Sequence, residues 1–238
     1  MLFIVLPIYC YDRIGGTAMT ERRAIQILYV LRSNFSIPRW ADAPKDPFQV
    51  LVMTVLSQAT ANRNTERAFR NLSKSFPITP KNLAGARLEE IEEAIRVAGL
   101  YRNKSKVIKE LSRLILRKFD GSLDFIHSLP LEEARNALIG LPGVGPKTAD
   151  VVLIFCAGKP TLPIDTHVNR VSKRLRLVPP NAGYEGTREV LQSLYSPQDY
   201  LPVHLLLISL GRRYCKARNP LCRSCPVNML CPSRQLEN

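Results

Sequence analysis

The chain of 238 residues is long enough for one or two domains, and its hydrophobic content of 45% is ordinary for a globular core. Its 34 Lys and Arg residues outnumber its 20 Asp and Glu residues, and the resulting net charge of +14 predicts a polyanionic partner, most simply nucleic acid. Since no apolar run reaches the length of about 18 residues that a membrane span needs, we expect no membrane partner.

Residues 1–19 begin with an apolar stretch that lacks the basic region and the cleavage site of a secretory signal. We expect an N-terminal extension that is disordered, adds a strand or reflects a mis-assigned start, with Met19 as the alternative start. Free thiols without a secretory signal favour a reducing, intracellular location, cytoplasmic or nucleoid-associated. Cys156 lies in an apolar run and is interpreted as a small core residue.

Hydrophobic periodicity predicts a chain that is almost entirely helical. A first helix over residues 20–33 would have Thr20 as its N-cap. Residues 48–58 are apolar on nearly all faces; a buried strand is an alternative, but the neighbouring helical patterns favour a buried helix. Three further amphipathic helices are predicted over residues 62–76, 88–100 and 103–121.

Residues 131–157 have the pattern of two helices separated by a short turn that contains two glycines. Gly143 and Gly145 permit positive φ and leave backbone N–H groups uncovered, and Pro146 suits the first turn of the second helix. Amides at a helix N-terminus bind anions, so the pattern predicts a helix-hairpin-helix clamp on DNA phosphate, with an ordinary αα-turn as the alternative. The residues predicted to contact DNA here are Leu141, Gly143, Val144 and Gly145.

Four cysteines near the C-terminus have the spacing Cys-x6-Cys-x2-Cys-x5-Cys: Cys215, Cys222, Cys225 and Cys231. Four thiolates are the ligand set of a [4Fe–4S] cluster and also of structural zinc. The spacing favours the cluster, because zinc sites usually contain two closely spaced cysteine pairs and only one is present here; zinc is the alternative. A disulfide framework fits poorly, because a chain of this length buries a core without cross-links.

Together these motifs resemble the endonuclease III branch of the helix-hairpin-helix DNA glycosylases. The resemblance rests on LPGVGPKTADVV, on PIDTHVNRV with Asp165 placed 18 residues after Lys147, and on the four cysteines. Two further matching segments are LSQATANRN at residues 56–64 and GLYRNKSKVI at residues 99–108. The similarity extends over about residues 20–233.

The resemblance implies an all-α fold of two helical lobes with a DNA-binding cleft between them. One lobe would be a helical barrel domain over residues 46–158 that contains the helix-hairpin-helix. The other would be an iron–sulfur cluster domain built from residues 20–45 and 159–238. The cluster would shape the loop after its first cysteine, so that Lys216 and Arg218 contact DNA phosphates.

The family removes a damaged base and then cuts the strand, so the resemblance implies a monomeric base-excision repair enzyme that acts on damaged double-stranded DNA. We expect oxidised pyrimidines as its substrates. Lys147 would be the nucleophile, since a helix N-terminus and desolvation favour its neutral amine. Asp165 would stabilise the positive charge that develops on the sugar, and it also suits the N-cap of a helix over residues 166–175. The two side chains would face each other across the cleft.

A base inside a duplex is out of reach of a protein nucleophile and must be flipped out of the stack. By resemblance, Gln58 fills the vacated space and Leu100 wedges into the opposite strand. Two alternatives stay open at this point. A mismatch glycosylase for thymine or uracil would lack lyase activity, and Lys147 argues against it; a non-catalytic DNA-binding protein would need no pair of Lys147 and Asp165.

Overall fold

Residues 14–37 and 45–234 are described by the computed structural model, with side chains from Met19 onward. Every regular element in these two ranges is helical, which confirms the predicted all-α class. Contacts divide the chain into two units, which we name the hairpin unit (residues 38–163) and the cysteine unit (residues 1–37 and 164–238). Within the described ranges, no helix combines the length and the apolar character that crossing a membrane requires.

Twelve α-helices follow one another in the described residues: α1 (Ile14–Asn34), α2 (Pro47–Ser57), α3 (Asn62–Ser75), α4 (Pro80–Gly85), α5 (Leu88–Ile95), α6 (Tyr101–Phe119), α7 (Phe125–Ser128), α8 (Leu131–Ile139), α9 (Pro146–Ala157), α10 (Thr166–Arg174), α11 (Tyr184–Leu194) and α12 (Tyr200–Arg213). Helices α2 to α9 belong to the hairpin unit, and the other four belong to the cysteine unit.

Helix α2 is the buried helix that the sequence predicted, and the strand alternative is excluded. The Asp46 carboxylate caps it by accepting a hydrogen bond of 2.7 Å from the Gln49 amide, and Pro47 occupies the first helical position. The helix packs against α3, α6 and α9. Contact with three neighbours explains why its sequence is apolar on nearly all faces.

The three predicted amphipathic segments are helical as α3, α5 and α6, each with its apolar face in the core of the hairpin unit. Helix α5 ends earlier than predicted and continues as a 3-10 turn over Arg96–Ala98. Gly99 then has φ +63°, and Leu100 follows with φ +47°. The connection from the 3-10 turn to α6 therefore contains two consecutive residues with positive φ.

The short helices α4 and α7 were not predicted. Helix α4 carries a start signal, since the Thr79 hydroxyl accepts a hydrogen bond of 3.3 Å from the Asn82 amide and Pro80 is its first residue. Helix α7 is a single turn of 4 residues, which is too short to show a hydrophobic period.

In the cysteine unit, α1 packs against α11 and α12, and α10 packs against α12. The prediction that Thr20 caps α1 is wrong, because the helix begins at Ile14 and Thr20 lies inside it. Among the side chains described from Met19 onward, the first buried apolar residue of α1 is Ala24, and the backbone helix begins ten residues before it. Residues 14–19 of the predicted extension are thus helical, and residues 1–13 lie outside the described part of the chain.

Gly211 allows α12 to approach α10 closely. A Cβ atom added to Gly211 would lie 2.9 Å from the Cβ of His167 and 3.2 Å from Val171. These distances are shorter than ordinary van der Waals contact, so a larger residue would push the two helices apart. This close packing holds α10 against α12 and so fixes the position of the helix that Asp165 caps.

The contacts divide the chain at Pro163 and Ile164, later than the boundary that was predicted after residue 158. Residues 159–163 therefore belong to the hairpin unit. One of their contacts with it is the hydroxyl of Thr161, which donates a hydrogen bond of 2.8 Å to the Asp150 carboxylate. The identification of the two units with a barrel domain and an iron–sulfur domain stays a prediction.

Candidate active site and metal centre

The hairpin turn, residues 141–145, joins α8 to α9. Gly143 has φ +74°, and a Cβ atom added to it would lie 2.5 Å from Cγ1 of Val107. Both the backbone conformation and the packing therefore require glycine at this position. Gly145 differs from the prediction, because its φ of −97° is open to any residue and an added Cβ would meet nothing within 4 Å. Glycine at position 145 therefore leaves open space in front of α9, where a phosphate would approach.

Leu141 and Val144 anchor the hairpin turn in the core. Their side chains are 3% and 5% exposed, and the Val144 amide donates to the Leu141 carbonyl at 3.1 Å. The side chains of Leu141 and Val144 therefore face inward, so contact of these two residues with DNA, which stays a prediction, would be made through their backbone. The exposed part of the turn is the backbone of Gly143 and Gly145. Because the side chains of Leu141 and Val144 are buried, Gly143 and Gly145 lie on the solvent side of the turn.

Lys147 is the second residue of α9, after Pro146 at the first helical position. Its side chain is half-buried in the first turn, next to the exposed Gly145. The first amides of a helix lack partners within the helix and carry partial positive charge. The Lys147 amine therefore lies in the helical turn where an anion would be favoured, and its role as the nucleophile stays a prediction.

A buried ion pair, which the sequence analysis missed, joins the two helices of the hairpin. The Arg135 guanidinium donates to both carboxylate oxygens of Asp150, at 2.9 and 3.3 Å, and the Asp150 side chain is fully buried. Arg135 lies on α8 and Asp150 on α9, so this bidentate pair fixes the crossing of the helices that flank the hairpin turn. The presence of an acid in the apolar run ADVVL was the available signal.

Gln58 and Leu100 lie at the ends of helical segments of the hairpin unit. Gln58 is the C-cap of α2, and its Nε2 donates to the Gly143 carbonyl at 3.2 Å. The residue predicted to fill the duplex therefore touches the residue at the centre of the predicted clamp. Leu100 precedes α6 and is 63% exposed, although it is a large apolar residue. Leu100 is therefore not a core residue, and its exposure is consistent with the wedge role, which stays a prediction.

Lys104 is a second feature that the sequence analysis missed. Its side chain is only 4% exposed, and its ammonium donates hydrogen bonds to the Leu56 carbonyl, the Thr60 hydroxyl and the Ala98 carbonyl. Burial lowers the pKa of this lysine. A lysine in an amphipathic helix normally faces solvent, so the sequence pattern alone gave no reason to place this one inside.

Asp165 lies in the cysteine unit as the N-cap of α10, as the sequence predicted. Its Oδ1 accepts a hydrogen bond of 2.7 Å from the Val168 amide, and its side chain is half-buried. Arg170 on the same helix donates to the carbonyls of Cys215 and Gly211 at 3.0 and 3.1 Å. The helix that carries Asp165 is thus attached to the start of the cysteine region.

The four cysteines border one cavity of about 830 Å³ within the cysteine unit. They belong to residues 215–231, which we name the cysteine loop. Each thiol is half-buried, and burial, with a smaller contribution from the neighbouring cysteines, raises the pKa of Cys225 to about 11. In the described part of the chain, no three His, Cys, Asp or Glu side chains converge tightly enough to hold one metal ion. Four cysteine sulfurs are among the groups that line this cavity, and sulfur ligands suit iron–sulfur chemistry.

Arg174, at the end of α10, holds the cysteine loop. Its guanidinium donates to the Lys216 carbonyl at 2.6 Å and to the Ala217 carbonyl at 3.0 Å, and it lies 3.5 Å from the Cys215 sulfur. The side chains of Lys216 and Arg218, predicted to bind phosphate, are exposed. Arg174 therefore fixes the backbone of the segment that presents these two cations.

Residues 52–197 match the family described as HhH-GPD superfamily base excision DNA repair protein. Endonuclease III of Thermotoga maritima is 39% identical over 186 residues, which cover 78% of this chain and 83% of that protein. Endonuclease III of Escherichia coli strain K12 is 32% identical over 219 residues, which cover 91% and 98% of the two chains.

Solved structures give the same result. A non-covalent complex of endonuclease III with DNA superposes with a TM-score of 0.78 at 31% identity, covering 90% of this chain and 95% of that chain. A trapped covalent intermediate of endonuclease III with DNA gives 0.75 at 32% identity, covering 88% and 96%. A thermostable thymine-DNA glycosylase, at 22% identity and a TM-score of 0.75 with 92% and 98% covered, shares the fold. The chain belongs to the endonuclease III family of helix-hairpin-helix base-excision DNA repair proteins.

Proposed function

We propose that this chain is a bifunctional DNA glycosylase and AP lyase of base-excision repair, with Lys147 as its nucleophile. Family membership supports the reaction class, and a covalent protein–DNA intermediate has been trapped for an endonuclease III that is 32% identical. The observation that carries the proposal is the position of Lys147 at the start of α9, beside the exposed Gly145. An amine there would meet the sugar of a nucleotide whose phosphate lies against the hairpin turn.

In the first step, the neutral Lys147 amine attacks C1′ of the damaged nucleotide. The base leaves with the electron pair of the glycosidic bond and takes up a proton. Opening of the sugar ring then gives an imine between Nζ and C1′. We assign Asp165 to this step, since a carboxylate near the reacting sugar would balance the positive charge that develops as the base departs.

In the second step, the imine makes the C2′ proton acidic, because the electrons of the C2′–H bond can move toward the iminium nitrogen. A base removes this proton and the 3′ phosphate leaves with its bonding electrons, which cuts the strand by β-elimination. Hydrolysis of the imine then returns Lys147. Asp165 has one oxygen engaged by the Val168 amide, and we assign the proton transfers to its other oxygen, Oδ2.

Phosphate contacts would position the enzyme on duplex DNA without reading its sequence. We assign them to the backbone of Gly143 and Gly145 in the hairpin turn and to Lys216 and Arg218 in the cysteine loop. The exposure of all four residues supports this assignment. Gln58 would fill the space that the flipped nucleotide leaves, and Leu100 would separate the bases of the opposite strand.

The four cysteines would hold a [4Fe–4S] cluster, and the fact that all four line one cavity supports this assignment. When bound, the cluster supplies a rigid link between four points of the cysteine loop. Arg174 and Arg170 then connect that loop to α10, where Asp165 is the N-cap. We propose that the enzyme works where the DNA lies, in the cytoplasm or on the nucleoid.

The substrate class is tested with duplexes that each contain one lesion: thymine glycol, dihydrouracil, uracil, 8-oxoguanine or an abasic site. We expect base release and strand cleavage on the two oxidised or reduced pyrimidines, and cleavage of the abasic site. Base release without strand cleavage would instead indicate the monofunctional mismatch glycosylase. DNA binding without release of any base would indicate a non-catalytic clamp.

A further inference from the structure

Lys104 presents its ammonium to the ends of two separate helical segments. The Leu56 carbonyl, 2.8 Å away, lies in the last turn of α2, and the Ala98 carbonyl, 3.0 Å away, ends the 3-10 turn over Arg96–Ala98. Carbonyl groups at helix C-termini lack partners within the helix and carry partial negative charge. One cation therefore caps both segments.

The predicted plug and the predicted wedge follow these two carbonyl groups at the same separation in sequence. Gln58 comes two residues after Leu56, and Leu100 comes two residues after Ala98. The hydroxyl of Thr60, just beyond Gln58, joins the network by accepting from the Lys104 ammonium at 2.6 Å and bonding to the Ala98 carbonyl. The segments that carry the predicted plug and the predicted wedge are thus connected through Lys104 and Thr60.

Both segments contain a strained backbone residue. Ala59, directly after Gln58, has φ +50°, and Leu100 itself has φ +47°. Residues other than glycine keep such left-handed conformations only where their surroundings hold them. The hydrogen bonds of Lys104 lie next to both residues, and they are suited to hold the two turns in these conformations.

A structural role alone does not account for a lysine at this position. Its partners in the structure are two carbonyls and a hydroxyl, which are neutral, and burial of a cation among neutral groups is costly. Lys104 also lies in the first turn of α6, where the helix dipole disfavours positive charge. A buried apolar residue would fill the same space without either cost, but it would not connect the two turns.

We propose that Lys104 is a positioning residue for base extrusion, which locks the turn of Gln58 to the turn of Leu100 so that plug and wedge enter the duplex together. This inference rests on the proposed function, because it assigns both residues to nucleotide flipping. Loss of the ammonium would let the two turns move independently. Extrusion of a stacked base would then suffer more than chemistry on a nucleotide that has no base to extrude.

The experiment compares wild type with Lys104→Met under single-turnover conditions on two duplexes, one with dihydrouracil and one with an abasic site. We expect excision of dihydrouracil to fall about tenfold relative to cleavage at the abasic site, as for loss of hydrogen bonds to one charged group. A 2-aminopurine beside the lesion reports unstacking directly, and its fluorescence increase on binding should be reduced in the variant.

Lys109→Met is the matched control. Lys109 lies on the same helix and also donates its ammonium to a backbone carbonyl, but that carbonyl belongs to Ala86, at the end of α4. We expect this variant to lose stability without a change in the ratio of the two activities. Thr60→Val is the second test variant, which keeps Lys104 and removes one link, and it should shift the ratio in the same direction by a smaller factor.

Equal losses on the two duplexes, or the same shift of the ratio in Lys109→Met, would overturn the inference. If Lys104→Met does not fold, Thr60→Val decides by the same two measurements. Failure of the proposed function is seen separately, as wild-type protein that neither releases base nor cuts. In that case the 2-aminopurine signal still decides, because unstacking on binding needs no bond cleavage, and wild-type fluorescence in Lys104→Met would contradict the role.

Discussion

The hairpin turn and the cysteine loop are both assigned to phosphate binding, yet they are held in different ways. The buried side chains of Leu141 and Val144 anchor the hairpin turn in the core of its unit. The ion pair of Arg135 and Asp150 joins the two flanking helices, α8 and α9. Within residues 214–234, the only buried side chain is Val227. Turn hydrogen bonds and arginine side chains that reach its carbonyls hold the cysteine loop instead.

This difference indicates where each region obtains its stability. Apolar burial and an internal ion pair make the hairpin turn complete without a ligand. The cysteine loop buries too little apolar surface to order itself, so its stability should come from the cluster that we propose its thiols bind. The predictions below test that contrast, beginning with the change that should have the largest effect.

Cys222→Ser should remove the cluster and disorder the cysteine loop, because metal binding supplies the folding free energy that the missing core does not. Wild type prepared without oxygen should contain about four iron atoms per chain and the variant almost none. Hydrogen exchange should become fast in the loop and stay slow in α8 and α9. Cys156→Ser, in the hairpin unit, is the control and should keep its iron. One zinc and no iron in wild type would contradict the cluster.

Asp150→Asn should destabilise the hairpin unit by about 3 to 5 kcal/mol, because it removes the buried carboxylate charge that pairs with the Arg135 guanidinium. Denaturant unfolding followed by hydrogen exchange measures this loss, and the iron content should not change. Glu133→Gln, at an exposed position of α8, is the control and should stay within about 0.5 kcal/mol of wild type. Equal stability of the two variants would show that the ion pair does not hold the hairpin.

Substitution of the two glycines of the hairpin turn should affect different properties: stability at Gly143 and DNA binding at Gly145. Gly143→Ala should cost about 1 to 3 kcal/mol, because the new methyl group overlaps Val107 and φ is positive. Gly145→Ala should change stability by less than about 0.5 kcal/mol but weaken DNA binding, because its methyl group enters the phosphate site. Titrations at several salt concentrations measure binding, which should fall steeply with salt. Normal affinity in Gly145→Ala would exclude this site.

Hydrophobic periodicity and capping residues predicted most of the helices around the candidate site. Helices α3 and α6 follow from their apolar faces, and Asp165 was identified as an N-cap from residue type and position alone. These features are local, so a window of sequence contains the information they need. Thr20 failed as a cap because the backbone of α1 already begins at Ile14.

The buried polar groups were not predictable in this way. Arg135 and Asp150 are 15 residues apart, and they meet only because α8 and α9 cross in the hairpin. Lys104 lies inside because two other segments present carbonyls to it. Such pairs depend on how elements pack, and periodicity gives no information about packing partners. The conformation of Gly145 was missed because glycine fits many backbone conformations and its presence does not select one.

Trapping with borohydride tests the central claim most directly, since it reduces an imine between a protein amine and DNA to a stable bond. We predict that wild-type protein forms a covalent adduct with a duplex that contains dihydrouracil or an abasic site. Lys147→Gln should form none and should not cut the strand, while its DNA affinity stays near wild type because Gly143 and Gly145 are unchanged. Asp165→Asn should still bind but turn over slowly. An adduct formed by Lys147→Gln would contradict the assignment of Lys147 as the nucleophile.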